Sequence, residues 1–259
     1  MALGRTDDPA EPKAKAALLD FLRSKGRLDG KSVATTELIL DKQTVRADVV
    51  LCNPNALHCF EIKTERDTLA RLDRQLEIYA KHADFVTVVA ATRHINAVIS
   101  RVPEQVGIYE MVTFSGASEI RILREAQQSP AFDVNAMLSF LPVTELRARL
   151  LISSRSRREE AIAEAVALPD VSKKAAVLSF LCERYGPNSS ALLRATKRRK
   201  IQPGDLDFLK RWRQAKTQCD NTPKVCLSDR SNDLDQEVYN FVGRSFGPVP
   251  DELRALLAS

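Results

Sequence analysis

The stretch VRADVVLCNPNALHCFEIK, residues 45–63, decides the fold, because it has the pattern of two strands joined by a tight turn. Apolar and β-branched residues fill both arms, and residues 53–56 (NPNA) between them have the chemistry of a short turn. If those four residues form the loop, the residue numbers of every cross-strand pair sum to 109. Asp48 then lies opposite Glu61, and Arg46 lies opposite Lys63.

This register divides the hairpin into two faces, since side chains alternate across a strand. Like charges directly opposite each other, about 5 Å apart at Cβ, are unfavourable in a sheet. A divalent cation between Asp48 and Glu61 would remove that penalty, although a solvated ladder neutralised by Lys63 is an alternative that the hairpin alone leaves open. The first face is predicted to be core and the second to be the site: Ala47, Val49, Leu51, Phe60 and Ile62 on one, and Arg46, Asp48, Val50, Cys59, Glu61 and Lys63 on the other.

The flanking sequence predicts an α/β fold with a mixed sheet flanked by helices. A helix is expected over residues 12–27, then a strand over 33–40 and a turn at 41–43. Beyond the hairpin we expect a helix over 67–82, a strand over 85–91, a helix near Val98 and a strand over 106–113. The helix between the third and fourth strands implies a crossover connection.

After residue 125 the strand pattern stops and helical periodicity takes over. Helices are expected near 134–152, 157–167, 172–185, 189–197, 204–218 and 233–246. We therefore predict two domains, residues 1–125 and an all-helical region, residues 126–259.

The net charge of +5 lies in the C-terminal part, because residues 1–150 hold 20 Lys+Arg and 20 Asp+Glu, whereas residues 151–259 hold 19 and 14. Within it, Lys197, Arg198 and Arg199 form a basic run that could contact DNA phosphates. An equally weighted alternative is the cationic end of a helix, which the helix dipole favours.

Composition excludes several classes of protein. No run approaches the ~18 apolar residues of a membrane helix, and the polar N-terminus does not resemble a secretory signal, so a cytoplasmic protein that does not contact membranes is expected. Five cysteines without a CxxC pair favour free thiols over a disulfide framework or structural zinc. There is no phosphate-binding glycine loop, HExxH motif or nucleophile elbow, and no small-molecule cofactor is expected.

The helix after the third strand carries a polar stripe formed by Arg71, Gln75 and Tyr79, which are four residues apart. Arg71, and Arg46 on the site face of the hairpin, could bind substrate phosphates through their guanidinium groups, and Gln75 could bind a metal-bound water or the substrate backbone. Tyr79 could orient Gln75. The alternative for this stripe is an ordinary exposed helix face.

Together, Asp48, Glu61-Ile62-Lys63 and the Gln75…Tyr79 spacing resemble the PD-(D/E)XK nuclease superfamily. The resemblance is to the branch with a Q-x-x-x-Y helix motif, such as RecB-like exonucleases, and to an uncharacterised bacterial family placed in that superfamily. It covers about residues 10–113 and implies a restriction-endonuclease-like fold. One departure is Ala47, which stands where a proline commonly precedes the aspartate.

The resemblance implies that Asp48 and Glu61 bind Mg²⁺ or Mn²⁺, with Glu37 as an additional acidic ligand. It implies that Lys63 positions or polarises the attacking water, and that Gln75 and Tyr79 complete the site. The implied activity is metal-dependent hydrolysis of phosphodiester bonds, with DNA as the expected substrate. The alternatives are a catalytically silent relative that binds DNA or a protein through the basic helical region, and an interaction protein with a coincidental site. The oligomeric state is left open.

Overall fold

The computed structural model describes residues 10–40, 45–114, 117–153 and 157–210. They form a six-stranded mixed sheet with helices packed against it, which confirms the predicted α/β class. The strands are β1 (Val33–Leu40), β2 (Val45–Cys52), β3 (Leu57–Lys63), β4 (Phe85–Ala91), β5 (Gly107–Phe114) and β6 (Ala117–Arg124). The helices are α1 (Ala10–Ser24), α2 (Leu72–His82), α3 (Ile95–Arg101), α4 (Val134–Met137), α5 (Val143–Leu150), α6 (Arg158–Val166), α7 (Asp170–Ala195) and α8 (Asp207–Lys210).

The strands lie in the sheet in chain order, from β1 at one edge to β6 at the other. β1, β2 and β3 form an antiparallel meander, and the crossovers through α2 and α3 make β3, β4 and β5 parallel to one another. β6 returns antiparallel to β5. The predicted hairpin register is confirmed where β2 and β3 pair, from Val49↔Phe60 to Cys52↔Leu57.

Two hydrophobic clusters cover the sheet. The first, which we call the α1 core, packs α1 against residues such as Val49, Phe60 and Tyr109. The second, the α2 core, packs α2 and the helices α4 to α7 against residues such as Val50 and Cys59. Because Val49 and Val50 are neighbours in one strand, the two clusters lie on opposite faces.

Glu37 has a left-handed backbone with φ 59°, which interrupts the alternation of side chains along β1. Beyond this residue, side chains that would continue on one face of the sheet point to the other face. Ala34 belongs to the α1 core but Leu38 to the α2 core, although both have even numbers. On β2 the same exchange places Ala47 in the α2 core while Val49 stays in the α1 core. The prediction that Ala47 shares a face with Val49 is therefore wrong, because alternation is interrupted opposite Glu37. A left-handed residue with a side chain costs about 1–2 kcal/mol.

Three other predictions need correction, two of them here and one in α7. The strand β6 was not predicted, since the last strand expected from the sequence covers residues 106–113. The helix expected over 134–152 is divided into α4, a 3₁₀ turn (Leu138–Phe140) and α5. The cause is Pro142, which disfavours helical geometry in the residue before it, and Leu141 has an extended backbone with ψ 125°.

The helix α7 is continuous, although two helices, 172–185 and 189–197, were expected on either side of Pro187. Both halves are held by packing, with Leu181 in the α2 core and Leu192 in the α1 core. The helix lies along the edge strand β1, where Ser189 Oγ accepts a hydrogen bond from the Ala34 N–H at 3.0 Å.

Residues on both sides of position 125, where the sequence predicts a domain boundary, belong to one compact unit. The helices after β6 share the α2 core with the sheet. Lys174 of α7 also pairs with the buried Asp84 at 2.5 Å, and Asp84 accepts the Leu57 N–H at 2.9 Å. The predicted turn at 41–43, the end of the helix expected over 204–218 and the whole of that over 233–246 lie outside the described residues. Among the described helices, none is both long and apolar enough to cross a bilayer.

The end of α5 offers a stability test. Leu151 follows the helix with a left-handed φ of 53°, and its side chain is 92% exposed. Replacing Leu151 by glycine removes the steric cost of Cβ without losing buried contacts, so the free energy of unfolding should rise by about 0.5–1 kcal/mol in urea denaturation. The buried neighbour is the control: Leu150→Gly should destabilise by about 2 kcal/mol or more. A Leu151→Gly protein less stable than wild type would contradict the strain at this position.

Candidate active site

β2 and β3 stop pairing just before Asp48 and Glu61 would meet, and the Asp48 side chain occupies the opening. The ladder ends at Val49↔Phe60, and Asp48 Oδ2 accepts a hydrogen bond from the Ile62 N–H at 2.8 Å. Asp48 and Glu61 are both buried. Burial, and then the neighbouring charge of Glu61, raise the pKa of Asp48 to about 8. The Asp48 carboxyl group is therefore removed from solvent and lies close to a second carboxyl group, that of Glu61.

Lys63 joins Glu61 to α2. Its ammonium donates to Glu61 Oε1 at 2.7 Å and to Gln75 Oε1 at 2.9 Å, and the side chain is buried. Glu61 and Lys63 are two residues apart, so β3 presents them on one face, while Gln75 comes from α2. Three residues predicted for the site therefore form one hydrogen-bonded group.

Tyr79 is fully buried beneath this group. Its hydroxyl lies 2.5 Å from Glu61 Oε2 and 2.7 Å from the Arg46 carbonyl oxygen. Burial, and then the charge of Glu61, raise the pKa of Tyr79 well above its usual value, so the phenol keeps its proton as a donor. Tyr79 was expected to orient Gln75, whereas these contacts of its hydroxyl hold Glu61 in place and join α2 to β2.

A second charged cluster forms where α1 passes over Asp48. Lys15 Nζ donates to Glu11 at 2.6 Å and to Glu37, and it lies 3.8 Å from Asp48 Oδ1. One carboxylate oxygen each from Glu11, Glu37 and Asp48 lies within 4.8 Å of the others. Although burial alone would lower the pKa of Lys15, Asp48 and the two glutamates hold it above its usual value. The three carboxylates share one buried ammonium group.

The donor chemistry of this cluster suits a hard divalent cation. Mg²⁺ binds carboxylate and water oxygens, and three carboxylates from three different elements converge here. Of the predicted ligands, Asp48 and Glu37 belong to this group, whereas Glu61 is held by Lys63 and Tyr79. Glu11 joins the group without having been predicted.

Sequence reasoning missed Glu11, which precedes the helix expected over residues 12–27, and Lys15, which was treated as part of that helix without a role in the site. A signal was present: Lys15 precedes Leu18, Leu19 and Leu22 at three-, four- and seven-residue spacing, so it lies on the buried face of α1. A lysine on such a face needs acidic partners, because an unpaired buried charge is costly. The i,i+4 relation of Glu11 to Lys15 supplies one of them.

The predicted substrate-binding residues lie on three different elements. Arg46 lies at the rim of the site, with a half-exposed side chain 3.9 Å from Glu37 Oε2. Arg71 is exposed at the N-terminal end of α2.

The basic run lies elsewhere. Lys197 and Arg198 are exposed, and Arg199 binds Asp205 through two bonds of 2.6 and 2.7 Å. Arg23 donates to the carbonyl oxygens of Thr196 and Arg199, each at 2.8 Å, which places the run beside the C-terminal end of α1. That end is about 12 Å along the helix from Lys15, so the structure does not bring the basic run to the site.

Comparisons with known proteins assign the chain to a family. A family model described as "Bacteriophage P4 protein cII" matches residues 4–210. The chain belongs to the bacteriophage P4 protein cII family. Protein cII of Enterobacteria phage P4 is 26% identical over 246 residues, spanning 92% of each chain. Among solved structures, the SPO1766 protein of unknown function from Silicibacter pomeroyi matches with a TM-score of 0.38 and 16% identity, covering 63% of this chain and 98% of that chain. The region matched by the family model includes every residue of the candidate site.

Proposed function

We propose that this protein is a cytoplasmic, metal-dependent nuclease of the PD-(D/E)XK superfamily that hydrolyses phosphodiester bonds of DNA. The observation that carries the proposal is the single hydrogen-bonded group of Glu61, Lys63, Gln75 and Tyr79 beside a buried Asp48. The order of elements from α1 to β4, one helix, three strands, one helix and one strand, also supports it.

In this mechanism, Glu61 and Gln75 hold the ammonium group of Lys63 in a fixed position. Glu61 and Gln75 each accept a hydrogen bond from the Lys63 ammonium, so two of its three protons are committed. The third can donate to an attacking hydroxide or to an oxygen of the scissile phosphate, where it stabilises the negative charge that develops. Tyr79 keeps Glu61 in position for this arrangement.

Mg²⁺ or Mn²⁺ would be held by the carboxylates of Asp48, Glu37 and Glu11. Glu61 lies close enough to Asp48 for its charge to raise the pKa of Asp48. When bound, the ion would lower the pKa of a water ligand and neutralise phosphate charge. Arg46, on the rim, has the guanidinium geometry to bind a phosphate oxygen of the DNA backbone.

One observation favours a second candidate function, that of a catalytically silent nuclease-fold protein that binds DNA or a protein partner. The Lys15 ammonium group already neutralises part of the negative charge of the three carboxylates, as a bound metal ion would. A site neutralised by its own lysine can keep its fold without an ion. Binding would then rely on exposed cations such as Lys197 and Arg198.

The two functions are separated by incubating the full-length protein with single- and double-stranded DNA in Mg²⁺, in Mn²⁺ and in EDTA. The nuclease proposal expects cleavage with a divalent ion and none with EDTA. The Asp48→Asn protein, purified in parallel, controls for a contaminating nuclease. Intact DNA in every condition, together with binding that weakens as salt increases, would favour the silent alternative.

A further inference from the structure

Two cysteine thiols meet where α7 crosses the end of β2. Cys52 is the last residue of β2 and is 3% exposed, whereas Cys182 on α7 is partly exposed. Their Sγ atoms are 3.6 Å apart and in hydrogen-bond contact. A disulfide needs a sulfur–sulfur distance of about 2.05 Å, so the two atoms must approach by about 1.5 Å.

The surroundings of this pair hold the two thiols together. Toward the N-terminal end of α7, Lys174 pairs with Asp84, and toward its C-terminal end, Ser189 accepts the Ala34 N–H. The helix is therefore fixed to the sheet on both sides of Cys182. The two cysteines are 130 residues apart in the chain, so only the folded protein places them side by side.

The two thiols differ in chemical character. Cys182 is within reach of solvent, and its hydrogen bond with Cys52 lowers the pKa of Cys182. The same hydrogen bond, with burial, raises the pKa of Cys52. In thiol–disulfide exchange the nucleophile is a solvent-accessible thiol whose thiolate is stabilised, which describes Cys182. A neighbouring thiol, here the buried Cys52, can then resolve the mixed disulfide.

We propose that Cys52 and Cys182 form a thiol–disulfide exchange site whose substrates are low-molecular-weight disulfides such as oxidised glutathione. The Cys182 thiolate attacks one sulfur of the glutathione disulfide, forming a mixed disulfide and releasing one glutathione thiolate, which takes up a proton. The Cys52 thiol then loses its proton and attacks Cys182 Sγ, releasing the second glutathione. The protein thiols are oxidised to one disulfide, and the glutathione disulfide is reduced to two thiols.

The product is a covalent link between α7 and the sheet at a place where they otherwise meet through packing and the hydrogen bonds of the Cys52 thiol. This chemistry does not depend on the nuclease site, because Cys52 is the last residue of β2, four residues beyond Asp48 in the middle of the strand. The site is thus separable from the proposed function in any experiment that follows thiols rather than DNA.

The test treats full-length protein with oxidised glutathione, removes the reagent and maps the tryptic peptides by mass. Cys52 lies in the peptide of residues 47–63 together with Cys59, whereas Cys182 lies in residues 175–184. The Cys59→Ala variant leaves Cys52 as the one cysteine of its peptide. We expect these two peptides to appear joined, with the loss of two hydrogen atoms, and Tm to rise by about 5–10 °C relative to reduced protein.

The Cys182→Ser variant is the matched control and should show neither the joined peptides nor the rise in Tm. If Cys59→Ala proves unstable, fragmentation of the joined peptides from wild type can place the bond on Cys52 or Cys59. A bond to Cys59, to Cys219 or to Cys226, or a reaction that stops with glutathione on Cys182, would overturn the proposal.

Discussion

If the protein is the nuclease that we propose, replacing Lys63 by methionine is expected to lower the rate of DNA cleavage by about 100- to 10,000-fold, the range found when a positioned charge or proton donor is removed from an active site. Methionine retains the apolar stem of the lysine but not the ammonium group that Glu61 and Gln75 hold in place. The rate of cleavage of a labelled DNA in Mn²⁺ measures the effect.

The loss must be separated from unfolding, because Lys63 is buried and paired with Glu61. Urea denaturation of Lys63→Met shows whether the variant is folded under the assay conditions. Lys81→Met, which changes a half-exposed lysine on α2, is the matched control and should cleave at the wild-type rate. A folded Lys63→Met protein with undiminished cleavage would remove Lys63 from the mechanism.

Replacing Lys15 by methionine is expected to lower the free energy of unfolding by about 3 kcal/mol in EDTA. The change leaves the carboxylates of Glu11, Glu37 and Asp48 close together without their shared cation. Removing one partner of a buried ion pair typically costs about 3–5 kcal/mol, and the partial exposure of Glu37 and Glu11 places the estimate at the lower end. Urea denaturation of both proteins measures the difference.

The same variant tests the carboxylates as metal ligands without a cleavage assay. If they bind a divalent ion, Mn²⁺ should restore much of the lost stability, because a ligand that binds only the folded state stabilises it. Lys13→Met, an exposed position on the same helix, should change little in either condition. A Lys15→Met protein that stays equally unstable with Mn²⁺ would count against a metal at these three carboxylates.

Much of the fold could be predicted, because the strands that decide it have clear boundaries. β1, β2 and β4 begin and end where the sequence predicts, since runs of apolar and β-branched residues there end at turn residues. The edge strand β6 was missed although it alternates, with Ile120 and Ile122 interleaved with Glu119 and Arg121. Its polar residues lie on a face of the sheet that none of the described helices covers, so β6 lacks the continuous apolar run by which a buried strand such as β4 is recognised.

The β3 and α2 part of the candidate site was also predictable, because Glu61, Lys63, Gln75 and Tyr79 depend on local spacing. The contribution of α1 was not, since nothing local indicates that Lys15 meets Glu37, 22 residues away. That contact depends on the left-handed backbone conformation of Glu37. Such a conformation is stabilised by tertiary structure, so the hydrophobic pattern of the sequence does not reveal it.

The position of α7 along β1 has a consequence for association between molecules. The edge of a sheet is a template for adding strands from other chains, and an assembly can grow indefinitely only if both edges accept them. In the described part of this protein, α7 lies along one edge and uses Ser189 to bind a backbone N–H of β1. Among the described strands, addition is left to the β6 edge, so edge-to-edge contact is expected to pair two molecules through their β6 strands.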